Sequence, residues 1–433
     1  MTRVYLHTFG CKANQYDSEV VRQALEDAGA TVTEDPTQAD AAVVNSCTVT
    51  HVGEAKMRGL VRRLARRRPG IRTVVMGCAA AVDDGTLAAL PGVVAVQGGG
   101  EPDGVLAALQ LPVPPSRVGL LRRFARGTRA WLKIQDGCDE HCTFCATVVA
   151  RGKNRSRPVE DLVAEARLLA ERAEEIVLTG VHIGGYGRDG RSGIRGMDGM
   201  NGIGGRGDVG RLGALVGRLV TDVPRVRFRL SSVEATEVDE RLAELMATRG
   251  DRLAPHLHAP LQSGSDRVLR RMGRHWYTAT AYRRRVEALV ARLPVFALGA
   301  DVIVGFPGET AADHAATRAL LADLPFTYVH VFPYSERPDA AARRLGGALA
   351  PAVVQERSAE LRGLVEAKGR THTAARVGGT ADVVLLDRHA GRVEGLTEDY
   401  LTVTLPVDAP PGPRFRARLF GDAQGLTARP LAA

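Results

Sequence analysis

The chain is poor in aromatic residues, at 5% with two tryptophans, and poor in sulfur, with seven methionines and six cysteines in 433 residues. So few cysteines in so long a chain exclude the disulfide-stapled small-domain class, which needs many more per residue. Long apolar runs are also missing, and no stretch reaches the length needed to span a bilayer. Acidic residues are absent from two segments. One carries Lys56, Arg58, Arg62, Arg63, Arg66, Arg67, Arg68 and Arg72, and the other carries Arg117, Arg122, Arg123, Arg126, Arg129 and Lys133. Within a formal net charge of +9, such segments suit a polyanionic partner as well as a solvated helix face.

What remains is ordinary globular composition, with 45% hydrophobic and 25% charged residues, long enough for two or three cores. The opening Met1-Thr2-Arg3-Val4-Tyr5-Leu6 runs straight into a strand pattern, so no signal peptide and a cytoplasmic location are expected. Residues 1–112 alternate short apolar runs with helical patterns over 17–28 and 54–68, the signature of an open parallel α/β sheet. Residues 110–127 carry Pro112, Pro114, Pro115 and several arginines and read as a linker. A second α/β region over 124–365 offers six strands, at 131–135, 175–179, 226–230, 256–261, 298–304 and 327–332. Six βα units predict a parallel barrel or part of one, whose active groups gather where the strands end. The glycine-rich segment 188–211 reads as an insertion after the second strand. A helix over 352–376 is followed by short alternating strands over 377–433, which predict a small terminal β-barrel in a domain over 370–433. The fold class is therefore α/β: an amino-terminal parallel domain, a (βα)6 partial barrel and a small carboxy-terminal β-barrel.

The cysteines fall into two sets. Cys138, Cys142 and Cys145 lie in Gly137-Cys138-Asp139-Glu140-His141-Cys142-Thr143-Phe144-Cys145, directly after a strand pattern. Three thiolates this close can ligate three irons of a cubane cluster and leave the fourth open to a small molecule. Zinc with His141 as fourth ligand is the alternative, disfavoured because structural zinc sites usually pair two C-x2-C knuckles. Cys11, Cys47 and Cys78 each follow a strand pattern of the first region, where loops of an open α/β sheet converge. They form either a second three-cysteine site or three packed core thiols. Gly180 suits close approach of backbone to a ligand, and Glu234, Gln262 and Asp301 are polar groups expected near strand ends.

The triplet resembles the signature of the radical S-adenosylmethionine (SAM) enzymes, including the aromatic Phe144 before its last cysteine. The wider set resembles the methylthiotransferases over nearly the whole chain. It includes Gly10-Cys11-Lys12-Ala13-Asn14-Gln15-Tyr16-Asp17-Ser18-Glu19, Asn45-Ser46-Cys47-Thr48-Val49-Thr50, Gly77-Cys78 and Arg151-Gly152-Lys153-Asn154-Arg155-Ser156-Arg157-Pro158. It also includes Leu230-Ser231-Ser232-Val233-Glu234, Pro260-Leu261-Gln262-Ser263-Gly264-Ser265-Asp266 and Val304-Gly305-Phe306-Pro307-Gly308-Glu309-Thr310. The resemblance implies an amino-terminal methylthiotransferase domain, a radical SAM core and a terminal TRAM domain.

It further implies two 4Fe-4S clusters, one on Cys138, Cys142 and Cys145 and an auxiliary one on Cys11, Cys47 and Cys78. One SAM would methylate sulfur held at the auxiliary cluster, and a second would yield the radical that activates the target carbon. Phe144 would lie against the cofactor's adenine, with Gly180, Glu234, Gln262 and Asp301 as further contacts. Implied partners are tRNA, an external electron donor and a sulfur donor, with no membrane. The wording Cys11-Lys12-Ala13-Asn14-Gln15-Tyr16-Asp17, with Arg155-Ser156-Arg157 and His330-Val331-Phe332-Pro333-Tyr334-Ser335, resembles the branch acting on C2 of N6-threonylcarbamoyladenosine beside the anticodon. Alternatives are isopentenyladenosine in tRNA, an aspartate of a ribosomal protein or, in a different class, a non-catalytic zinc-containing RNA-binding protein. The terminal region is not basic, with six arginines against seven acidic residues from Val377 onward, so any grip on tRNA there would rest on Arg414, Arg416, Arg418 or stacking at Tyr400.

Overall fold

A computed structural model describes residues 2–48, 51–113, 119–122, 124, 127–193, 211–337, 340–386, 393–406, 412–422 and 425–431. Most of the glycine-rich insertion, at 194–210, and Arg117, Arg123 and Arg126 lie outside those residues. Among them, no helix is long and apolar enough to cross a membrane. The chain divides into two compact units. The first comprises Met1–Ala125, Asp136–Glu140 and Cys145–Arg155, and the second Arg126–Gln135, His141–Phe144 and Ser156–Ala433.

In the first unit a parallel five-stranded sheet has Ala41–Ser46 at its centre, flanked by Arg3–Thr8 and Arg72–Gly77, with Thr31–Thr33 and Val93–Gly98 at the edges. The two edge strands are short or half exposed, and of the two only Val93–Gly98 shares the apolar run of the inner three. Ala41–Ser46 is buried along its whole length, as a parallel strand covered on both faces must be. Side chains of this strand and its neighbour Arg72–Gly77 alternate in step: Val43 and Val74 pack with Val21 and Leu25 on one face, while Val44 and Val75 pack with Met57 and Leu64 on the other.

The second unit carries the six expected parallel strands, but not as one ladder. Arg129–Lys133, Glu175–Thr179 and Arg227–Leu230 pair in that order, and His256–His258, Ala297–Val304 and Phe326–Pro333 pair separately. Only the isolated bridges Phe228↔Leu253 and Ser232↔His258 join the two sets among the described residues. The fourth strand, expected over 256–261, is cut to three residues, and Pro260, which has no N–H to give a ladder, lies in the part that is lost.

The terminal strands Thr380–Leu385, Val393–Leu396, Thr402–Leu405, Arg414–Asp422 and Gly425–Pro430 close into a barrel around Val383, Val403, Leu419 and Ala428. This barrel clusters in the same compact unit as the six strands, and a buried ion network ties them. Glu175, fully buried, accepts from Arg129 Nε at 2.8 Å, Arg227 Nε at 2.7 Å and Arg229 Nη2 at 2.9 Å. Arg227 reaches on to Asp382 at 3.0 Å, and Arg229 donates to the carbonyls of Thr397 and Glu398 at 3.0 and 3.1 Å. Burial pushes the Glu175 carboxyl up, but Arg229, Arg227 and Arg129 outweigh it and hold it well below the usual carboxylate range.

Arg414 pairs with Asp382 at 2.6 Å and also donates to the carbonyl of Arg225 at 3.0 Å, so its charge serves the fold and not an RNA. Tyr400 is likewise engaged, stacked on His256 with centroids 4.4 Å apart and with the Arg229 guanidinium 5.2 Å from its ring. Glu175→Gln, which strips the shared carboxylate from two fully buried arginines, should cost about 3–5 kcal/mol. Denaturant unfolding measures it, and a loss below about 1 kcal/mol, the level of a surface pair, would contradict this reading.

Candidate active site

Each cysteine of the amino-terminal set follows a strand end. Cys11 caps the helix Lys12–Asp27, Cys47 follows Ala41–Ser46 directly, and Cys78 opens the helix Cys78–Ala81 after Arg72–Gly77. These three strands are neighbours in the sheet, so their carboxyl ends share one edge. A Cβ placed on Gly10 would lie 3.0 Å from Cys47 Cβ and 3.2 Å from its sulfur, so the loops of Cys11 and Cys47 touch. Gly77 has φ +94°, and a Cβ there would strike Asn45 Oδ1 at 2.1 Å; glycine is required for the turn into Cys78.

Asn14 ties the loops together. Its side-chain nitrogen donates to the carbonyls of Phe9 at 3.0 Å and Ser46 at 2.8 Å, just before Cys11 and Cys47. Its side-chain oxygen lies 3.6 Å from Cys78 Sγ. Asn45 closes the arrangement, donating to the carbonyl of Asn14 at 2.8 Å. Burial pushes the Cys78 thiol up to about 11, against the pull of Arg151, whose Nε is 3.1 Å from the sulfur. Bound iron would keep it as thiolate regardless, since metal ligation displaces the proton. Three soft donors on one ledge, with backbone fixed by buried amides, fit the ligand chemistry of an iron–sulfur cluster.

The radical-type triplet is divided between the two units. In the first, Cys138 N–H donates to the Gly152 carbonyl at 3.0 Å, and Cys145 Sγ lies 3.0 Å from Thr147 Oγ1. In the second, Thr143 N–H donates to the Met272 carbonyl at 2.8 Å, fixing the segment that carries Cys142. Phe144 packs against Val268, Met272, Phe306 and Ala342. Arg274, buried at 6% exposure, lies 3.4 Å from Cys142 Sγ and grips Glu234, whose second oxygen accepts from Trp276 Nε1 at 2.5 Å. Cys142 and Glu234 thus share one arginine.

Gly180 follows the strand Glu175–Thr179, and a Cβ there would meet the Gln135 carbonyl at 2.6 Å, so packing against its own chain already demands glycine. The Gln135 side chain in turn accepts from Val181 N–H and His182 N–H at 3.1 and 2.9 Å, shaping the loop beyond. Gln262 adopts φ +64°, rare for a side chain of this kind, and its N–H donates to the Asp301 carbonyl at 2.8 Å. Asp301 is not at a strand end: it sits inside the eight-residue strand Ala297–Val304, among rings. His258 Nε2 lies 3.2 Å and His330 Nδ1 3.1 Å from its two oxygens, and Tyr328 OH links His258 and His256 at 3.1 and 2.8 Å. Burial raises the Asp301 carboxyl, but the bonds from His258 and His330 outweigh it and leave it well below its ordinary value.

The first acid-free segment is partly engaged by the rest of its own unit. Arg58 donates to Thr86 at 3.0 Å, Arg68 pairs with Asp40 at 3.0 Å, and Arg72 donates to the Ala108 carbonyl at 2.7 Å. Of the arginines in the second acid-free segment, Arg122 is paired with Asp27 and Arg129 with Glu175. Asn14, Gln135, Arg151 and Arg274 were not singled out from the sequence. Asn14 and Arg151 lie within motifs that mark the family, whereas Gln135 and Arg274 carry no local signal.

Comparison with known proteins gives two successive matches along the chain. The profile described as Uncharacterized protein family UPF0004 matches residues 3–98, and that of the Radical SAM superfamily matches residues 132–321. The Bacillus subtilis (strain 168) protein named threonylcarbamoyladenosine tRNA methylthiotransferase MtaB is 36% identical over 362 residues, 80% of this chain and 76% of that protein. The Methylobacillus flagellatus protein named tRNA-2-methylthio-N(6)-dimethylallyladenosine synthase is 31% identical over 436 residues, 94% of this chain and 93% of that one. Among solved structures, the radical SAM methyltransferase TsrM of Kitasatospora setae, bound to cobalamin and a [4Fe-4S] cluster, gives a TM-score of 0.54 at 15% identity. That match covers 77% of this chain and 75% of TsrM, a likeness of fold.

Two outcomes are expected. Asn14→Ala should lower the iron taken up on anaerobic reconstitution while the fold persists; iron content equal to wild type would show that the amide is dispensable. A depressed Asp301 stabilises the fold above the ordinary carboxylate pKa of about 3.9 and loses that contribution as pH falls toward its folded value. The stability gap between wild type and Asp301→Asn, followed by unfolding at several pH values, should therefore narrow below about pH 4. A gap that widens on acidification would contradict it.

Proposed function

The chain belongs to the family of radical SAM tRNA methylthiotransferases, and on that premise we propose that it attaches a methylthio group to C2 of N6-threonylcarbamoyladenosine beside the anticodon of tRNA. Membership replaces the non-catalytic zinc-protein alternative. The observation that carries the reading is the convergence of Cys11, Cys47 and Cys78 at three adjacent strand ends around Asn14, apart in sequence from Cys138, Cys142 and Cys145. We assign the first set to the auxiliary 4Fe-4S cluster and the second to the cluster that binds SAM.

When bound, the clusters and SAM supply the sulfur, the methyl group and the radical. The chain's own part is placement. Asn14 holds two of the sulfur-bearing loops in register, and Arg274 and Trp276 orient Glu234 beside Cys142. Phe144, seated on Val268 and Met272, presents a ring suited to an adenine face. Gln262 and Asp301, joined through backbone, and the loop after Gly180 complete the proposed cofactor contacts. Fixing two reactive groups before they meet lowers the entropic part of the barrier.

Support for the threonylcarbamoyl substrate comes from the motif Cys11-Lys12-Ala13-Asn14-Gln15-Tyr16-Asp17 and from relatives bearing that name at 30 to 36% identity. The 31% identical dimethylallyladenosine-type relative favours a second reading, the dimethylallyl nucleoside of tRNA. Turnover on either requires an external electron donor and a source of sulfur.

The test is nucleoside analysis of tRNAs carrying each modification after incubation with reconstituted protein, SAM and reductant under anaerobic conditions. Methylthio product on threonylcarbamoyladenosine alone is expected; product on dimethylallyladenosine alone would replace the first reading by the second. Cys47→Ala should retain 5′-deoxyadenosine formation and lose the methylthio nucleoside. Equal loss of both would end the division of labour between the cysteine sets.

A further inference from the structure

We propose that Arg151 is a positioning residue of the auxiliary cluster, donating to the Cys78 ligand sulfur and raising the cluster's reduction potential; this rests on Cys11, Cys47 and Cys78 holding that cluster. Arg151 ends the short helix Thr147–Arg151 and is buried at 7% exposure, in the same compact unit as all three cysteines. A lone buried guanidinium is costly, and this one is compensated by Asp17 Oδ2 at 2.8 Å, Asp136 Oδ2 at 3.2 Å and Asn14 Oδ1 at 2.6 Å.

Those partners satisfy the two terminal nitrogens. The remaining donor, Nε, points at Cys78 Sγ from 3.1 Å. Asp17 and Asp136 fix the guanidinium plane from two sides, so the Nε direction is set by the fold.

A cation donating to a ligand sulfur draws electron density from it. It thereby favours the reduced, more negative state of the cluster, and hydrogen bonds to sulfur together with local charge are established levers on cluster potential. The low dielectric of a buried site strengthens the effect. Because Arg151 also holds Asn14, which ties the loops of Cys11 and Cys47, one residue couples the electronic environment of Cys78 to the geometry of the other two ligands.

The experiment uses the full chain with Cys138, Cys142 and Cys145 replaced by alanine, so that only the auxiliary cluster can form. Iron and sulfide are measured after anaerobic reconstitution, and the midpoint potential is read by a redox titration followed by electron paramagnetic resonance. A parent that binds no cluster overturns the cysteine assignment itself. With the cluster present, Arg151→Gln should shift the potential to more negative values, and Arg151→Lys should shift it less, since it keeps the charge but not the planar Nε donor. A potential for Arg151→Gln equal to the parent overturns the proposal. Should Arg151→Gln fail to hold iron, Arg151→Lys decides: an unchanged potential overturns the proposal and a negative shift supports it.

Discussion

The amide of Asn14 is the constraint on which the sulfur-bearing end of the molecule depends. It donates to Phe9 and Ser46 carbonyls that lie far apart in sequence, and it sits against Cys78. The bond to Ser46 is buried and that to Phe9 half-buried, and away from water a satisfied amide rigidifies while an unsatisfied one is penalised. The three loops therefore stand or fall together. Arg151 extends the constraint, because its own placement relies on the oxygen of the same amide and on Asp17 of the same helix.

A second buried node, Glu175 with three arginines, does the corresponding work in the other unit. It links the first, second and third strands of the six and reaches into the terminal barrel through Asp382 and the Thr397 and Glu398 carbonyls. In consequence the terminal barrel's Arg414 and Tyr400 serve packing. Arg416 and Arg418 of that barrel, and Arg62, Arg66 and Arg67 of the helix His51–Arg67, are exposed instead.

Much of this was legible in the sequence. Strands such as Glu175–Thr179 and Ala41–Ser46 announce themselves because buried parallel strands are continuous apolar runs, and the loop cysteines follow them directly. Thr31–Thr33 was not legible, because three edge residues with a single valine carry no such run, and Val93–Gly98 was passed over although its Val93-Val94-Ala95-Val96 is one. The polar groups were the hardest. Glu234 and Asp301 are visible as residues, but Arg274, Trp276, His258 and His330, which decide what those carboxylates do, come from distant segments that only folding brings near. Asp301 illustrates the limit: its strand continues three residues past it to Val304, and no local signal marks where a strand stops.

The central claim is that the two cysteine sets are separate metal sites, one for the radical and one for the sulfur. Mössbauer spectroscopy on iron-57-reconstituted chain lacking Cys138, Cys142 and Cys145 tests it most directly. The account predicts about four irons per chain with the spectrum of a single 4Fe-4S cluster. A chain that binds no iron once that triplet is removed would contradict it.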